Sequence, residues 1–129
     1  MKDRKERVFL IVEPGENALS TRKLILEAAG YNCISAVSGN QALKFFSSPP
    51  PFSGVLIDTD VNDVQLPELI DRFQQTGPIP IFLLSNRLWP PEEIRDKQVA
   101  AIFEKMSDPA SMVRTIAEHY DDPPGVAGF

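Results

Sequence analysis

Val55-Leu56-Ile57-Asp58 is a short apolar run that ends on a carboxylate. Three other runs share its form. Val8-Phe9-Leu10-Ile11-Val12 ends at Glu13, Ile79-Pro80-Ile81-Phe82-Leu83-Leu84 ends at Ser85, and Val99-Ala100-Ala101-Ile102-Phe103 leads to Lys105. Runs this short and this continuously apolar are the pattern of strands buried on both faces. In a parallel sheet with helices on both faces, strand C-terminal ends lie along one edge, and ligands bind in the crevice there. Two carboxylates, a hydroxyl and an ammonium are thus expected at one edge, as a site for a cation and a phosphoryl group.

Helical patterns separate the runs. Asn17 is a good cap for a first helix, with Ala18, Thr21, Ile25, Ala28 and Ala29 on one face and Gly30 as its stop. Ser38 with Gln41 makes a capping-box pattern for a second helix, whose apolar face is Ala42, Phe45 and Phe46. Pro49-Pro50-Pro51 stops it. Leu66, Ile70 and Phe73 carry a third helix inward, closed by Gly77-Pro78. Trp89-Pro90-Pro91-Glu92-Glu93 looks like a helix start, although Ile94 to Lys97 offers hardly two turns. A last helix begins near Asp108-Pro109 and buries Met112, Val113, Ile116, Ala117 and Tyr120. A further strand-like stretch, Asn32 to Val37, follows the first helix. Alternation throughout predicts an α/β fold, a doubly wound five-stranded parallel sheet flanked by five helices. Residues 1–7 read as a solvated charged lead-in, 8–120 as the domain, and 121–129 as a flexible tail.

Composition narrows the function. With 129 residues and 43% apolar content, the chain is one domain with a real core. The net charge of −5 is spread along it without a basic stripe, which argues against direct nucleic-acid binding. Cys33, the single cysteine, excludes an internal disulfide and reads as a small buried hydrophobe. No signal peptide or membrane span is visible, so a cytoplasmic protein is expected. No glycine-rich phosphate loop, Ser/His/Asp set or zinc spacing appears, so no enzyme active site is expected. Lone His119 reads as solvent-facing near a helix C-terminus. Trp89 reads either as a lid packed over the site or as an exposed partner anchor.

From about Val8 to Tyr120 the chain resembles the receiver domain of two-component response regulators. The likeness rests on Gly30-Tyr31 ending the first helix, Gly39-Asn40-Gln41-Ala42-Leu43 opening the second, and the four strand-end residues. It implies the flavodoxin-like receiver fold and a phosphorylation-responsive switch in a phosphorelay. It implies that Asp58 is the phosphoacceptor and Ser85 the hydroxyl that follows the phosphoryl group. Lys105 becomes the lysine paired with it, and Glu13, Asp58 and the backbone carbonyl of Asp60 become the magnesium ligands. The implied partners are a histidine kinase or phosphotransfer protein and an output domain or partner protein.

The chain also departs from that pattern. The second of two adjacent acidic positions is Pro14. Val61-Asn62 and Gln65-Leu66 stand where the family carries Met-Pro and then Asp-Gly, and Met106 stands where proline usually follows the lysine. Losing one carboxylate removes about 1 to 4 kcal/mol of metal binding, so magnesium binding is expected to be weak or absent. Glu16 and the Asp60 side chain are the acids placed to compensate. The Lys105–Met106 bond is expected to be trans, since without proline the cis form costs about 3 to 4 kcal/mol. An atypical receiver that is phosphorylated and a pseudo-receiver serving as a phosphorylation-independent interaction module both fit these residues. A flavodoxin-like cofactor binder does not, because no hydroxyl-rich phosphate loop follows the first run.

Overall fold

The computed structural model describes residues 4–47, 52–86, 92–120 and 122. Five strands, β1 (Val8–Val12), β2 (Asn32–Ala36), β3 (Gly54–Asp58), β4 (Ile81–Ser85) and β5 (Ala101–Glu104), form one parallel sheet in the order β2-β1-β3-β4-β5. Among the described residues there are four α-helices: α1 (Glu16–Ala28), α2 (Gly39–Ser47) and α3 (Leu66–Gln74) connect strands, and α4 (Pro109–His119) follows β5. The strand order reverses direction between β1 and β3, which opens a crevice at their C-terminal ends.

The apolar runs form the central strands because both their faces are covered. Leu10, Val12, Val55, Ile57, Ile81 and Leu83 pack on one side with Ala42 of α2 and Leu69, Ile70 and Phe73 of α3. Phe9, Ile11, Leu56, Phe82 and Leu84 point the other way, against Leu19 and Leu26 of α1 and Met112, Val113 and Ile116 of α4. Alternate residues of each strand thus feed two cores, as the pleat requires.

Several expected features appear as read. Gly30 ends the first helix with φ 100°, a left-handed conformation that favours glycine. Ser38 Oγ accepts from the Gln41 amide at 3.0 Å, and Gln41 Oε1 accepts from the Val37 amide at 2.7 Å. Asp108 caps α4 by accepting from the Ala110 amide at 3.1 Å. The Lys105–Met106 peptide is trans, and His119 is exposed.

Other features differ. A fifth α-helix was expected before β5, but the described residues there hold only a 3-10 turn, Glu92–Ile94. Its one apolar residue, Ile94, is buried, and nothing follows it that could bury a second turn. The β5 strand starts at Ala101 rather than Val99. The N-cap of α1 is Gly15, not Asn17; Ala29 and, in part, Ile25 face the core as expected, but so do Leu19 and Leu26, whereas Thr21 and Ala28 are exposed. Cys33 is only half-buried.

In the charged lead-in Lys5 and Glu6 are exposed, but the two arginines are not. Arg4–Glu6 is a 3-10 turn, and Arg4 and Arg7 are 7% and 8% exposed. Arg4 donates to the Ala29 carbonyl at 2.9 Å, and Arg7 pairs with Asp122 in the segment expected to be a loose tail. Long guanidinium stems bury well when the head finds a partner. Trp89 and Pro49-Pro50-Pro51 lie outside the described residues.

Candidate functional site

Register brings the strand ends together. Val12 pairs with Ile57, so Glu13 and Asp58 stand next to each other at the reversal point of the sheet. Asp58 pairs with Leu84, which sets Ser85 one residue further out on β4, and Ser85 pairs with Glu104, the residue before Lys105. Glu13, Asp58 and Ser85 are 4%, 2% and 5% exposed. Three polar side chains this deeply buried need partners.

Asp58 finds several. Lys105 Nζ lies 2.8 Å from its Oδ1, and the Asp60 amide donates to the same oxygen at 2.8 Å, an Asx-type turn at the strand end. Lys105 also donates to Asp60 Oδ2 at 2.7 Å. The ammonium thus bridges a buried carboxylate and an exposed one. The Ser85 carbonyl accepts from the Lys105 amide at 2.9 Å, which joins the two residues through the backbone. Burial works to raise the Asp58 carboxyl, but Glu13, Lys105 and the Asp60 amide outweigh it and hold the group below the usual carboxylate range.

Glu13 behaves in the opposite way. Its Oε2 accepts from the Gly15 amide at 3.1 Å, the first donor available after the proline, which has no N–H. Burial, and next the neighbouring Asp58, push its carboxyl up to about 7. Two carboxylates this close cannot both ionise freely, so Asp58 keeps the charge and Glu13 holds the proton longer.

Arg22, which sequence reading did not single out, completes the cluster. It projects from the inner face of α1 between Leu19 and Leu26 with its side chain 14% exposed. Its Nε lies 3.3 Å from Glu13 Oε1, and Nη2 lies 3.7 Å from Asp58 Oδ2. The signal was available as a charged residue at an inward helical position, three after Leu19 and four before Leu26.

The sequence-derived site residues are therefore all at one edge, with Glu13, Asp58, Asp60 and Lys105 in contact through ion pairs and hydrogen bonds. Magnesium does not fit this set as it stands. Pro14 offers no side-chain donor, and Glu16 is exposed on the first turn of α1. The Asp60 carboxylate is engaged by Lys105, and a guanidinium faces both buried acids. Among the described residues no group of three or more His, Cys, Asp and Glu side chains could hold a metal ion.

A cleft of about 30 Å³ borders Arg22, Leu84, Lys105 and Met112, with room for one or two waters. Met106, 91% exposed, follows Lys105 just outside it. A larger recess of about 390 Å³ opens at the opposite edge, lined by Ile79, Pro80, Val99 and His119 among others, and no carboxylate lines it. The smaller cleft borders two charged members of the cluster, Arg22 and Lys105. Cys33 takes no part: burial pushes its thiol up to about 12, which leaves it unreactive. Among the described residues no helix is long and apolar enough to cross a membrane.

No protein-family model matches the sequence, and no curated protein matches it. Solved structures do. The N-terminal domain of a response regulator/sensory box/GGDEF three-domain protein from Carboxydothermus hydrogenoformans superposes with a TM-score of 0.80 at 21% identity, over 89% of this chain and 97% of that one. A CheY-like response regulator receiver domain from Methanospirillum hungatei gives 0.79 at 21% identity, over 89% and 94%. The response regulator TrrA from Thermotoga maritima, solved in complex with Mg2+-BeF, gives 0.72 at 19% identity, over 87% and 97%. The chain therefore has the fold of these receiver domains.

Proposed function

We propose that this chain is an atypical receiver domain, a phosphorylation-responsive switch in two-component signalling that acts in the cytoplasm. The observation that carries the reading is Asp58: an ionised, buried carboxylate at the reversal point of the sheet, with Lys105 Nζ at 2.8 Å and Ser85 at the end of the adjacent strand. Phosphoryl transfer depends mostly on positioning and on neutralising charge. Asp58 Oδ1 is engaged by Lys105 and the Asp60 amide, so Oδ2 supplies the attacking lone pair. An O–P bond forms to the phosphoryl group, the P–N bond to the imidazole of a phosphorylated histidine on the partner breaks, and the imidazole leaves with the electron pair. Lys105 then has a phosphoryl oxygen to hold in place of Oδ1, and the Ser85 hydroxyl donates to another. Those two shifts move the β4 and β5 ends, and with them the surface a partner reads.

The proposed partners are those the receiver reading calls for. A histidine kinase or phosphotransfer protein supplies the phosphoryl group, and an output domain or separate protein reads the switch. In the Carboxydothermus protein a receiver-fold domain precedes sensory box and GGDEF domains.

The second reading is a phosphorylation-independent interaction module. It is favoured by one observation, that Pro14 and Arg22 leave the acid pair ion-paired without a metal. Incubation with a small acyl phosphate or phosphoramidate, read by intact mass, separates the two. One added phosphoryl group on the wild type and none on Asp58→Asn supports the switch. No addition to the wild type, with or without magnesium, supports the module.

A further inference from the structure

The Arg22 guanidinium reaches both buried acids from an element that supplies no other charge to the site. Its Nε and Glu13 Oε1 are both buried and make no hydrogen bond, yet they face each other at 3.3 Å. When Glu13 is ionised each is the other's counter-charge, set slightly off hydrogen-bond geometry. On its far side Nη2 addresses Asp58 Oδ2 at 3.7 Å. The guanidinium therefore lies against one oxygen of each carboxylate, Glu13 Oε1 and Asp58 Oδ2.

Formal charges agree with the geometry. Glu13, Asp58 and Asp60 carry three negative charges when ionised, and Lys105 returns one. Without Arg22 the cluster would be short by two positive charges, which is what one divalent ion supplies. Arg22 provides half of that from within the chain. Pro14 leaves no third carboxylate to win the ion back.

We propose that Arg22 is the resident cation of the Glu13–Asp58 pair and takes the place of a divalent ion, so that this site works without metal. Its metal half stands on the geometry alone. Its phosphoryl half deepens the proposed function and rests on it: Arg22, already beside Asp58 Oδ2, neutralises the incoming phosphoryl group.

The test uses the full chain and Mn2+ as probe, read by paramagnetic broadening of the Gly15, Thr59 and Asp60 amides. The wild type should show no selective broadening at these amides. Arg22→Met should gain it, with an apparent affinity at least about tenfold higher, since a like charge is removed from beside the ion. Arg22→Lys should behave as the wild type does. Selective Mn2+ binding by the wild type as strong as by Arg22→Met overturns the proposal, and so does absence of binding in both. If Arg22→Met does not fold, Arg22→Gln removes the charge while keeping polarity, and the same outcomes apply.

In parallel, a phosphodonor with chelator should label the wild type as well as it does with magnesium, whereas Arg22→Met should need the metal. Labelling of the wild type only with magnesium overturns the phosphoryl half. Failure of every sample to be labelled overturns the phosphoacceptor reading instead, and the Mn2+ titration still decides Arg22.

Discussion

Replacing Asp122 with asparagine should destabilise the domain severely, although the residue lies at the end opposite the site. Its side chain is 1% exposed and accepts from Arg7 Nε at 3.0 and 2.9 Å and from Tyr31 Oη at 2.9 Å. The Arg7 guanidinium also stacks 4.2 Å from the Tyr120 ring centroid and donates to the Tyr120 carbonyl at 3.3 Å. Removing one partner of a buried ion pair costs about 3 to 5 kcal/mol, because the other charge stays buried. The ring remains and returns about 1 kcal/mol to the stranded guanidinium. The net loss should be about 2 to 4 kcal/mol, against the roughly 5 to 15 kcal/mol that holds a domain of this size together. Urea unfolding followed by circular dichroism measures it, with an unchanged m-value showing that the unfolded state is unaffected. Arg7→Met added to Asp122→Asn should recover part of the loss, since no unpaired charge then remains. A loss below about 1 kcal/mol, or no recovery in the double variant, would refute the ion-pair argument.

Glu13 sets a pH dependence. Its folded carboxyl is raised to about 7 from 4.5, so its contribution is complete below 4.5 and is lost as pH rises through about 7. After discounting for solvent at the edge of the site, the wild type should lose about 1 to 2 kcal/mol between these limits, and Glu13→Gln should be flatter; parallel curves from urea melts would contradict this. Gly54→Ala should cost about 1 to 3 kcal/mol by thermal melting, because its new methyl would lie 2.6 Å from Tyr120 Oη and 2.8 Å from Phe9. Asp63 accepts from the Gly39 and Asn40 amides at 2.8 and 2.9 Å, and so caps α2 from the loop before α3. Asp63→Ala should lose about 1 kcal/mol and expose the α2 amides to faster hydrogen exchange.

The central strands were legible because both of their faces are buried, which leaves an unbroken apolar run too short for a helix. Their terminal residues followed directly, since Glu13, Asp58 and Ser85 sit where those runs stop, and Lys105 follows the edge strand β5. The first helix was harder. Ala18, Thr21 and Ala28 are small enough to read as an inner face, but the helix is rotated so that Leu19 and Leu26 join Ala29 in facing the core. That rotation carries Arg22 inward, and a charge on a helix is ordinarily read as a solvated one. Arg4 and Arg7 escaped notice for the same reason: their burial depends on the Ala29 carbonyl and on Asp122, 25 and 115 residues away in sequence. The segment before β5 failed for the opposite reason, since proline and glutamate signalled a helix start but only Ile94 was there to anchor it.

The proposed function requires that Asp58 carry the phosphoryl group. Treating the phosphodonor-labelled protein with borohydride reduces an aspartyl phosphate to homoserine, and peptide mass mapping then locates the change. Conversion at Asp58, lost in Lys105→Ala or slowed by it, is the predicted result. Conversion at Glu13, Asp60 or Asp63, or none at any residue of a labelled and folded protein, would contradict it.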